Sequence, residues 1–315
     1  MKLKRKVQVK IPASSSNFGP GFDTLGLAFK LYNELELEAE KVSSPGQSGV
    51  CIEIEGEGEE ILPRNEKNIV WQSAKEIFRA CRVPISSYRF HLKMMNRIPL
   101  SRGLGSSAAA RLGGILAANA IAGQKMRPEE LIRWAVKMEG HPDNVVPQMV
   151  GGFCICAVLE DKIQFIKLSV PKKISAVVCL PDFELPTKKA QAILPKKISH
   201  QDAVFNVSRV ALLIGALAKG ESCHLKTAME DRLHQKYRKK FVPGFDRVIK
   251  NAYQQGALGV ALSGAGPSIL AFAPNGKARQ IGLGMEKGFL SSGKKSKSIF
   301  LDIDNQGAQV KTFSH

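Results

Sequence analysis

A glycine- and hydroxyl-rich stretch at residues 98–111 constrains the fold of this chain more than any other feature. It has the sequence I-P-L-S-R-G-L-G-S-S-A-A-A-R and leads directly into an alanine- and leucine-rich run that continues to Ala122. Glycine permits backbone conformations that a side chain forbids, and it lets a ligand approach the main chain closely. Ser106 or Ser107 is predicted to cap the helix that follows. The first turn of a helix offers unpaired N–H groups and a positive dipole end, so this stretch predicts a phosphate cradle.

The loop by itself leaves a second interpretation open. A helix preceded by a glycine turn needs no ligand, and isolated glycine-rich loops are weak signals. The stretch is also not an ordinary P-loop, because it lacks the lysine of G-x-x-x-x-G-K-[ST]. Residues 88–94 alternate like a strand and lead into the loop. The order strand, glycine loop, helix is the arrangement that phosphate binding requires.

Size and charge narrow the class of protein. The chain has 315 residues, of which 44% are hydrophobic, and we expect two domains with substantial cores. Its net charge is +18, which is compatible with an anionic nucleotide or with nucleic acid. The lysines occur as dispersed pairs without interleaved aromatic residues, which is typical of a solvated surface. A basic nucleic-acid-binding protein therefore remains only a remote alternative.

We recognise no secretory or transmembrane signal in the sequence, and the cysteine spacing is typical of reduced thiols. These observations predict a cytoplasmic protein with no membrane partner. The basic segment 1–10 is not followed by the apolar core of a secretory signal. The sequence contains no run of about 18 apolar residues, so we predict no transmembrane helix. The six cysteines show no C-x-x-C spacing, so we expect reduced, largely buried thiols and no zinc site.

Hydrophobic periodicity predicts a mixture of strands and helices. Strands are predicted at 7–11, 29–40, 51–55, 88–94, 152–159, 175–180, 259–262, 269–272 and 298–304, and helices at 68–82, 128–140, 202–218, 228–237 and 277–290. Residues 13–23 are predicted to be a polar loop, since they are rich in turn formers. We place a domain boundary within 161–171, giving domains 1–165 and 166–315.

Polar residues near two predicted turns are candidates for chemistry. Asn17 and Asp23 bracket a glycine-rich bend and could present an amide and a carboxylate to a polar ligand. Glu139 ends a well-signalled helix, where a carboxylate opposes the dipole, so it is a candidate cation ligand or an ordinary exposed glutamate. His141, Asp143 and Asn144 follow it closely. A core histidine and a helix cap are the structural alternatives for these three residues.

Three motifs resemble those of the GHMP small-molecule kinases. They are Pro12-Ala-Ser-Ser-Ser-Asn-Phe-Gly-Pro-Gly-Phe-Asp23, Gly103-Leu-Gly-Ser-Ser-Ala-Ala109 and Ser263-Gly-Ala-Gly-Pro-Ser268. Within that superfamily, Glu139-Gly-His-Pro-Asp-Asn-Val145 and Asp231-Arg-Leu-His-Gln-Lys-Tyr-Arg238 resemble the branch that acts on L-homoserine. The motifs occur in the family's order over nearly the whole chain, which is far more specific than any one loop.

The resemblance implies an α+β protein with the GHMP kinase fold. This fold combines an N-terminal ribosomal-protein-S5-domain-2-like ATP-binding domain with a C-terminal ferredoxin-like α/β sandwich. The implied reaction is ATP-dependent phosphorylation of the side-chain hydroxyl of L-homoserine to O-phospho-L-homoserine, a step of threonine biosynthesis. ATP and Mg²⁺ are the implied cofactors, and relatives suggest a homodimer. Positioning and charge neutralisation carry most of phosphoryl transfer.

Family roles can be carried over to matching positions. The residues implied to bind ATP are Asn68, near the adenosine, and Pro99, Leu100, Ser101, Arg102, Gly103, Leu104, Gly105, Ser106, Ser107, Ala108 and Ala109. The residues implied to bind the substrate are Asn17, Asp23, His141, Thr187, Gln191, Arg238 and Gly264. Ser106 and Glu139 are the implied Mg²⁺ ligands, Asp143 is the candidate general base, and Asn144 is implied to orient the reacting groups.

One position departs from the family pattern. Thr187-Lys-Lys-Ala-Gln-Ala-Ile-Leu-Pro195 resembles T-x-x-A-R-x-x-L-P, but Gln191 stands where the pattern has arginine. A neutral amide cannot form the charge-assisted hydrogen bond that an arginine would make with the substrate carboxylate. We therefore expect weaker binding of this carboxylate, unless Lys188 or Lys189 compensates. Because of Gln191, a second interpretation remains, in which the substrate is a different small alcohol such as mevalonate.

Overall fold

The computed structural model describes residues 4–160, 162–171 and 173–314. These residues form eleven strands: β1 (Lys4–Asn17), β2 (Gly21–Lys41), β3 (Gly49–Gly56), β4 (Tyr88–Asn96), β5 (Phe153–Leu159), β6 (Lys162–Leu168), β7 (Ile174–Pro181), β8 (Gly259–Leu262), β9 (Ile269–Pro274), β10 (Ser296–Leu301) and β11 (Gln309–Ser314).

The same residues form ten α-helices. They are α1 (Ile69–Ala80), α2 (Ser106–Ile121), α3 (Pro128–Glu139), α4 (Pro142–Val150), α5 (Thr187–Ala192), α6 (His200–Lys219), α7 (Leu225–Ala228), α8 (Gln235–Arg238), α9 (Phe245–Gln254) and α10 (Ala278–Leu290). The α+β fold class expected from the sequence is confirmed.

The larger sheet is built on a long pairing of β1 with β2. Its strand order is β11-β1-β2-β4-β3, with β5 on another part of β2 and β6 on β5. Val7, Val9 and Ile11 alternate with polar residues and are buried on the face that packs against α2. The register places Val9 opposite Leu35 and Val7 opposite Leu37, so one face of the pair is continuously apolar.

The smaller sheet has the antiparallel order β10-β7-β9-β8, with α9 and α10 packed together beside it. Val177, Val248 and Phe289 are fully buried in the core between them. The two sheets also meet in one contact of aromatic rings. Phe18, from the β1–β2 turn, stacks on Phe272 of β9 at a centroid distance of 5.6 Å.

The structure differs from the expectations for residues 13–17 and 228–237, and it contains strands that the sequence did not predict. Residues 13–17 are not loop but the end of β1, where Ala13 pairs with Phe29 and Ser16 with Gly26. The helix expected over 228–237 is broken between α7 and α8, where the Asp231 carboxylate accepts the main-chain N–H groups of Leu233, His234 and Gln235. The sequence did not indicate β6, and it did not indicate β11, which returns the end of the chain to β1.

The division into domains 1–165 and 166–315 stays a prediction. Residues 165 and 166 both lie within β6, which pairs with β5 in the larger sheet. The strand β11 likewise pairs with β1 in that sheet, although it lies at the end of the chain.

Among the described residues, α6 is long and apolar enough to cross a membrane by length and composition alone. Only 22% of its apolar window is buried, and Val204 and Val207 are exposed. Helices of soluble proteins pass the same test, so the expectation of no membrane-spanning segment stays a prediction.

Candidate active site

The end of β1 connects the glycine loop, α4 and the 263–268 turn of the candidate site. The Ser14 hydroxyl donates to Asn144 Oδ1 at 2.8 Å and accepts from the Gln148 side chain at 3.0 Å. Ser15 and Ser263 join their hydroxyls at 2.9 Å, and Ser263 donates to the Gly103 carbonyl at 2.7 Å. These hydroxyls are buried, and their hydrogen bonds satisfy them without water.

The glycine loop approaches this strand too closely for side chains. Gly103 and Gly105 both have positive φ, at 72° and 69°. A Cβ atom on Gly103 would lie 2.0 Å from the Ser263 carbonyl oxygen, and one on Gly105 would lie 2.3 Å from the Ser14 hydroxyl. Glycine at these two positions is therefore required by both conformation and space.

The loop leaves the start of α2 open to a ligand. Gly105, and not Ser106 or Ser107, is the N-cap residue, and no side chain caps the helix, so the expected serine cap is wrong. The first N–H groups of a 16-residue helix thus remain available at its positive dipole end. An anion such as a phosphate is the ligand that suits this arrangement.

One cavity of about 130 Å³ joins this helix end to the other candidate residues. Its lining comprises Ser16, Asn17, Asp23, Ser101, Arg102, Gly103, Leu104, Gly105, Ser106, Ser107, Glu139, His141, Asp143, Asn144, Thr187, Gln191, Arg238, Gly264 and Ala265. Every residue assigned to substrate, catalysis or metal from the sequence is in this set. Residues distant in the chain therefore converge on one site.

Five of the residues assigned to ATP lie outside that lining. They are Asn68, Pro99, Leu100, Ala108 and Ala109. Ala108 and Ala109 are fully buried in α2. The Asn68 amide caps α1 by accepting from the Val70 N–H at 3.0 Å, and it donates to the Pro63 carbonyl at 2.9 Å. Contact between Asn68 and an adenosine stays a prediction.

A cluster of three ionisable groups lines the cavity, and its burial ranges from exposed Asp23 through partly buried His141 to buried Asp143. His141 Nδ1 lies 2.5 Å from Asp143 Oδ1, and the Asp23 carboxylate is within 4.8 Å of both groups. Burial opposes a charged imidazole, but the hydrogen bond and the charge of Asp143 outweigh it and raise the pKa of His141 to about 9. Burial and the charge of Asp143 raise the pKa of Asp23. At neutral pH His141 is therefore a cation.

Arg238 supplies a second cation, and its guanidinium is fixed on several sides. Its Nε donates to the Ala190 carbonyl at 3.2 Å, and its Nη1 donates to the Gly264 carbonyl at 3.4 Å. The side chain is buried, and the Phe22 ring centroid lies 5.1 Å from it. Asn17 Nδ2 donates to the same Gly264 carbonyl, so the arginine and the 17–23 turn share an anchor.

Glu139 and Ser107 lie together at the edge of the loop. Glu139 Oε2 accepts from the Ser107 hydroxyl at 3.0 Å and from Arg111 Nε at 2.7 Å. Arg111 balances the carboxylate that the helix dipole disfavours. The remaining carboxylate oxygen and the hydroxyl are hard oxygen donors, which fit Mg²⁺. The hydroxyl beside Glu139 is that of Ser107, whereas the sequence pointed to Ser106.

Sequence reasoning missed several residues that support the site. Ser14, Ser15 and Gln148 are buried behind the loop, and Gln148 donates to the Gly105 carbonyl at 2.8 Å. Arg111 supports Glu139 from the second turn of α2. The serine run at 14–16 was the available signal, but its polar composition suggested a loop.

Family models match both halves of the chain. The GHMP kinases N-terminal domain matches residues 68–152, and the GHMP kinases C-terminal domain matches residues 213–289. The chain is 42% identical to the homoserine kinase of Carboxydothermus hydrogenoformans over 302 residues, covering 96% of each protein. The chain belongs to the homoserine kinase family.

Solved structures agree with membership in the homoserine kinase family. The crystal structure of homoserine kinase from Cytophaga hutchinsonii is 32% identical, with a TM-score of 0.85, and the match covers 99% of this chain and 98% of that one. The L. major mevalonate kinase in complex with R-mevalonate has a TM-score of 0.69 at 17% identity, covering 92% of this chain and 94% of that one. This second likeness shows the fold alone. The GHMP kinase fold expected from the sequence motifs is confirmed.

The raised pKa of His141 predicts a pH-dependent stability. The folded protein binds this proton more tightly than the unfolded chain, so the stabilisation is complete below about pH 6.5 and is lost as pH rises through about 9. Between about pH 6.5 and pH 9, the free energy of unfolding should decrease more in the parent than in His141→Gln. We expect the two decreases to differ by on the order of 1–3 kcal/mol. Urea unfolding at several pH values measures the difference.

The exposed residue His224 provides the control for this comparison. His224→Gln should keep the pH dependence of the parent, because His224 lies outside the cavity and is about half exposed. Identical pH dependence in the parent and in His141→Gln would contradict the assignment of a stabilising imidazolium.

Proposed function

We propose that this protein transfers the γ-phosphoryl group of ATP to the side-chain hydroxyl of L-homoserine, as its relatives' names indicate for them. One observation carries the proposal: an uncapped helix N-terminus and a pocket with both signs of charge share one cavity. The first suits a phosphate donor and the second suits a zwitterionic amino acid. The product is O-phospho-L-homoserine, an intermediate of threonine biosynthesis.

The donor half of the site is the loop at 98–109. The N–H groups at the start of α2 would bind the phosphates, and the positive end of the dipole would stabilise their charge. Mg²⁺ would be bound by Glu139 together with a serine hydroxyl, and when bound it neutralises charge on the transferring phosphoryl group. Ser107 is favoured for this role over Ser106 because it contacts Glu139 directly.

The acceptor half would recognise the two charges of the amino acid. Arg238 would pair with the α-carboxylate, since a hydrogen bond from a charged guanidinium to a carboxylate is stronger than one between neutral groups. Asp23 would bind the ammonium group, supported by Asn17, whose side-chain oxygen accepts from the Asp23 main-chain N–H at 3.0 Å. Thr187, Gln191 and Gly264 complete the wall.

Asp143 is the candidate to accept the hydroxyl proton. It is fully buried, lines the cavity, and shares Oδ1 between His141 and Asn144. Protonated His141 would orient Asp143, and Asn144 would link it to the strand through its bonds with Ser14 and Ser16. Proton transfer from a hydroxyl needs such a group within hydrogen-bond reach.

A homodimer and a cytoplasmic location complete the proposal. The apolar face of α6, which exposes Val204 and Val207 beside Ile198, supports self-association, since contiguous exposed apolar groups favour interaction surfaces.

A coupled ADP-release assay tests the proposed activity. The purified protein should release ADP with L-homoserine, and the release should depend on Mg²⁺ and exceed that with L-threonine, L-serine or mevalonate. Asp143→Asn should lower kcat roughly 100-fold or more, because it removes the proposed proton acceptor. Turnover with mevalonate and none with homoserine would overturn the proposal in favour of another small-alcohol kinase.

Replacement of Gln191 by arginine is predicted to strengthen the binding of L-homoserine. Its neutral amide lines the cavity together with Arg238. Gln191→Arg should lower KM for L-homoserine roughly 10-fold, because it adds a charge-assisted bond worth about 1.5–3 kcal/mol. KM for ATP should stay close to that of the parent.

Gln201→Arg is the matched control, since it adds the same charge on exposed α6, outside the cavity lining. An unchanged or higher KM for homoserine in Gln191→Arg would show that this position does not recognise the substrate carboxylate.

A further inference from the structure

His234 is a buried titratable residue that contacts Arg238 of the acceptor site without lining the cavity. Its side chain is fully buried. One ring nitrogen, Nε2, lies 2.8 Å from the Gly19 carbonyl oxygen, and the other, Nδ1, lies 3.3 Å from Arg238 Nη1. The imidazole therefore connects the turn that carries Asn17 and Asp23 with the arginine on α8.

The two contacts fix the tautomer of this histidine. A carbonyl oxygen only accepts, so Nε2 must carry the proton, and Nδ1 then presents its lone pair to the guanidinium. Burial lowers the pKa of His234, the charge of Asp231 opposes this shift, and the charge of Arg238 adds to it. The ring is neutral under ordinary conditions and accepts a charge-assisted hydrogen bond from Arg238.

Two nitrogens of the Arg238 guanidinium, Nε and Nη1, donate hydrogen bonds to three acceptors of the protein. Nε is bonded to Ala190, and Nη1 to Gly264 and His234. The hydrogen bonds described for this side chain leave Nη2 as the donor available to a ligand in the cavity. Phe22 packs against both groups, with its ring 5.3 Å from the imidazole and 5.1 Å from the guanidinium.

His234 is itself supported from the outer side. The Asp231 carboxylate accepts the main-chain N–H groups of Leu233, His234 and Gln235, and it accepts from the Asn206 side chain at 2.8 Å. Asn206 also donates to the Pro20 carbonyl at 3.2 Å, on the same turn as Gly19. The histidine thus has one backbone position and one ring orientation.

We propose that His234 is a positioning residue for substrate recognition: neutral, with its proton on Nε2, it orients Arg238 toward the substrate carboxylate and aligns it with the 17–23 turn. This role rests on the proposed function, because it assumes that Arg238 pairs with an amino-acid carboxylate. Substitution of His234 should therefore weaken homoserine binding without changing ATP binding or the phosphoryl-transfer step.

Two substitutions separate the two ring nitrogens. His234→Gln can place an amide N–H near the position of Nε2 and keep the bond to Gly19, but it has no acceptor at the position of Nδ1. His234→Asn can place an amide oxygen near the position of Nδ1 and keep the acceptor for Arg238, but it loses the bond to Gly19. The pair has similar polarity, so it distinguishes the arginine contact from general packing.

The expected result is a selective change in KM. In His234→Gln, KM for L-homoserine should rise roughly 10-fold or more, as for loss of a hydrogen bond to a charged group, while kcat at saturating homoserine and KM for ATP stay near the parent values. His234→Asn should recover most of the loss in KM. His224→Gln, an exposed histidine substitution, controls for the assay.

Several outcomes would overturn the inference. They are an unchanged homoserine KM in His234→Gln, equal defects in the two variants, and a parallel rise in the KM values for both substrates. If the variants do not fold, nitrogen-15 spectra of the parent imidazole still decide, because a proton on Nδ1 or a charged ring at neutral pH contradicts the role. A parent that releases no ADP with homoserine contradicts the proposed function instead.

Discussion

The hydrogen bonds at the end of β1 are the constraint on which the site depends. Three successive serines occupy a strand rather than a loop, and their buried hydroxyls are bonded to residues from two distant segments, α4 and the 263–268 turn. Ser14 contacts the α4 residues Asn144 and Gln148, and Ser15 contacts Ser263. An unpaired buried hydroxyl costs free energy, so these bonds specify the position of α4 and of the 263–268 turn relative to β1.

Close approach at this junction explains the composition of the glycine loop. Gly103 and Gly105 approach the Ser263 carbonyl and the Ser14 hydroxyl, where no Cβ atom fits. The loop can therefore bring the start of α2 to the cavity without a capping side chain. On the other side of the cavity, hydrogen bonds hold Asp143, His141 and Arg238 in fixed positions before any ligand arrives. Such preorganisation reduces the cost of ordering the reacting groups.

The sequence predicted the fold, because linked motifs specify it, and the roles assigned to the site residues stay predictions. The resemblance to GHMP kinases placed Asn17, Asp23, His141 and Arg238 in one site, and the structure brings them to one cavity. Periodicity could not reveal β11, because its partner β1 is about 300 residues away in the chain. The break between α7 and α8 escaped prediction because it depends on which N–H groups Asp231 accepts.

Local contacts also refine the assignments within the site. The serine run appeared to be a loop, since polar residues predict solvent exposure unless their buried partners are known. Likewise, sequence alone could not distinguish Ser106 from Ser107 beside Glu139. The helix phase and the Glu139 position, which the structure supplies, decide that Ser107 makes the contact. The role of each residue in catalysis remains a proposal.

Kinetics of Ser14→Ala test most directly whether the end of β1 unites the two halves of the site. The substitution removes the partner of Asn144 on the acceptor side and of Gln148, which supports the Gly105 carbonyl, on the donor side. The KM values for ATP and for L-homoserine should both rise, each by roughly 5-fold or more, as for about 1–3 kcal/mol of lost hydrogen bonding. Exposed Ser86→Ala should match the parent. A Ser14→Ala variant with both KM values unchanged, or with only one changed, would contradict the account.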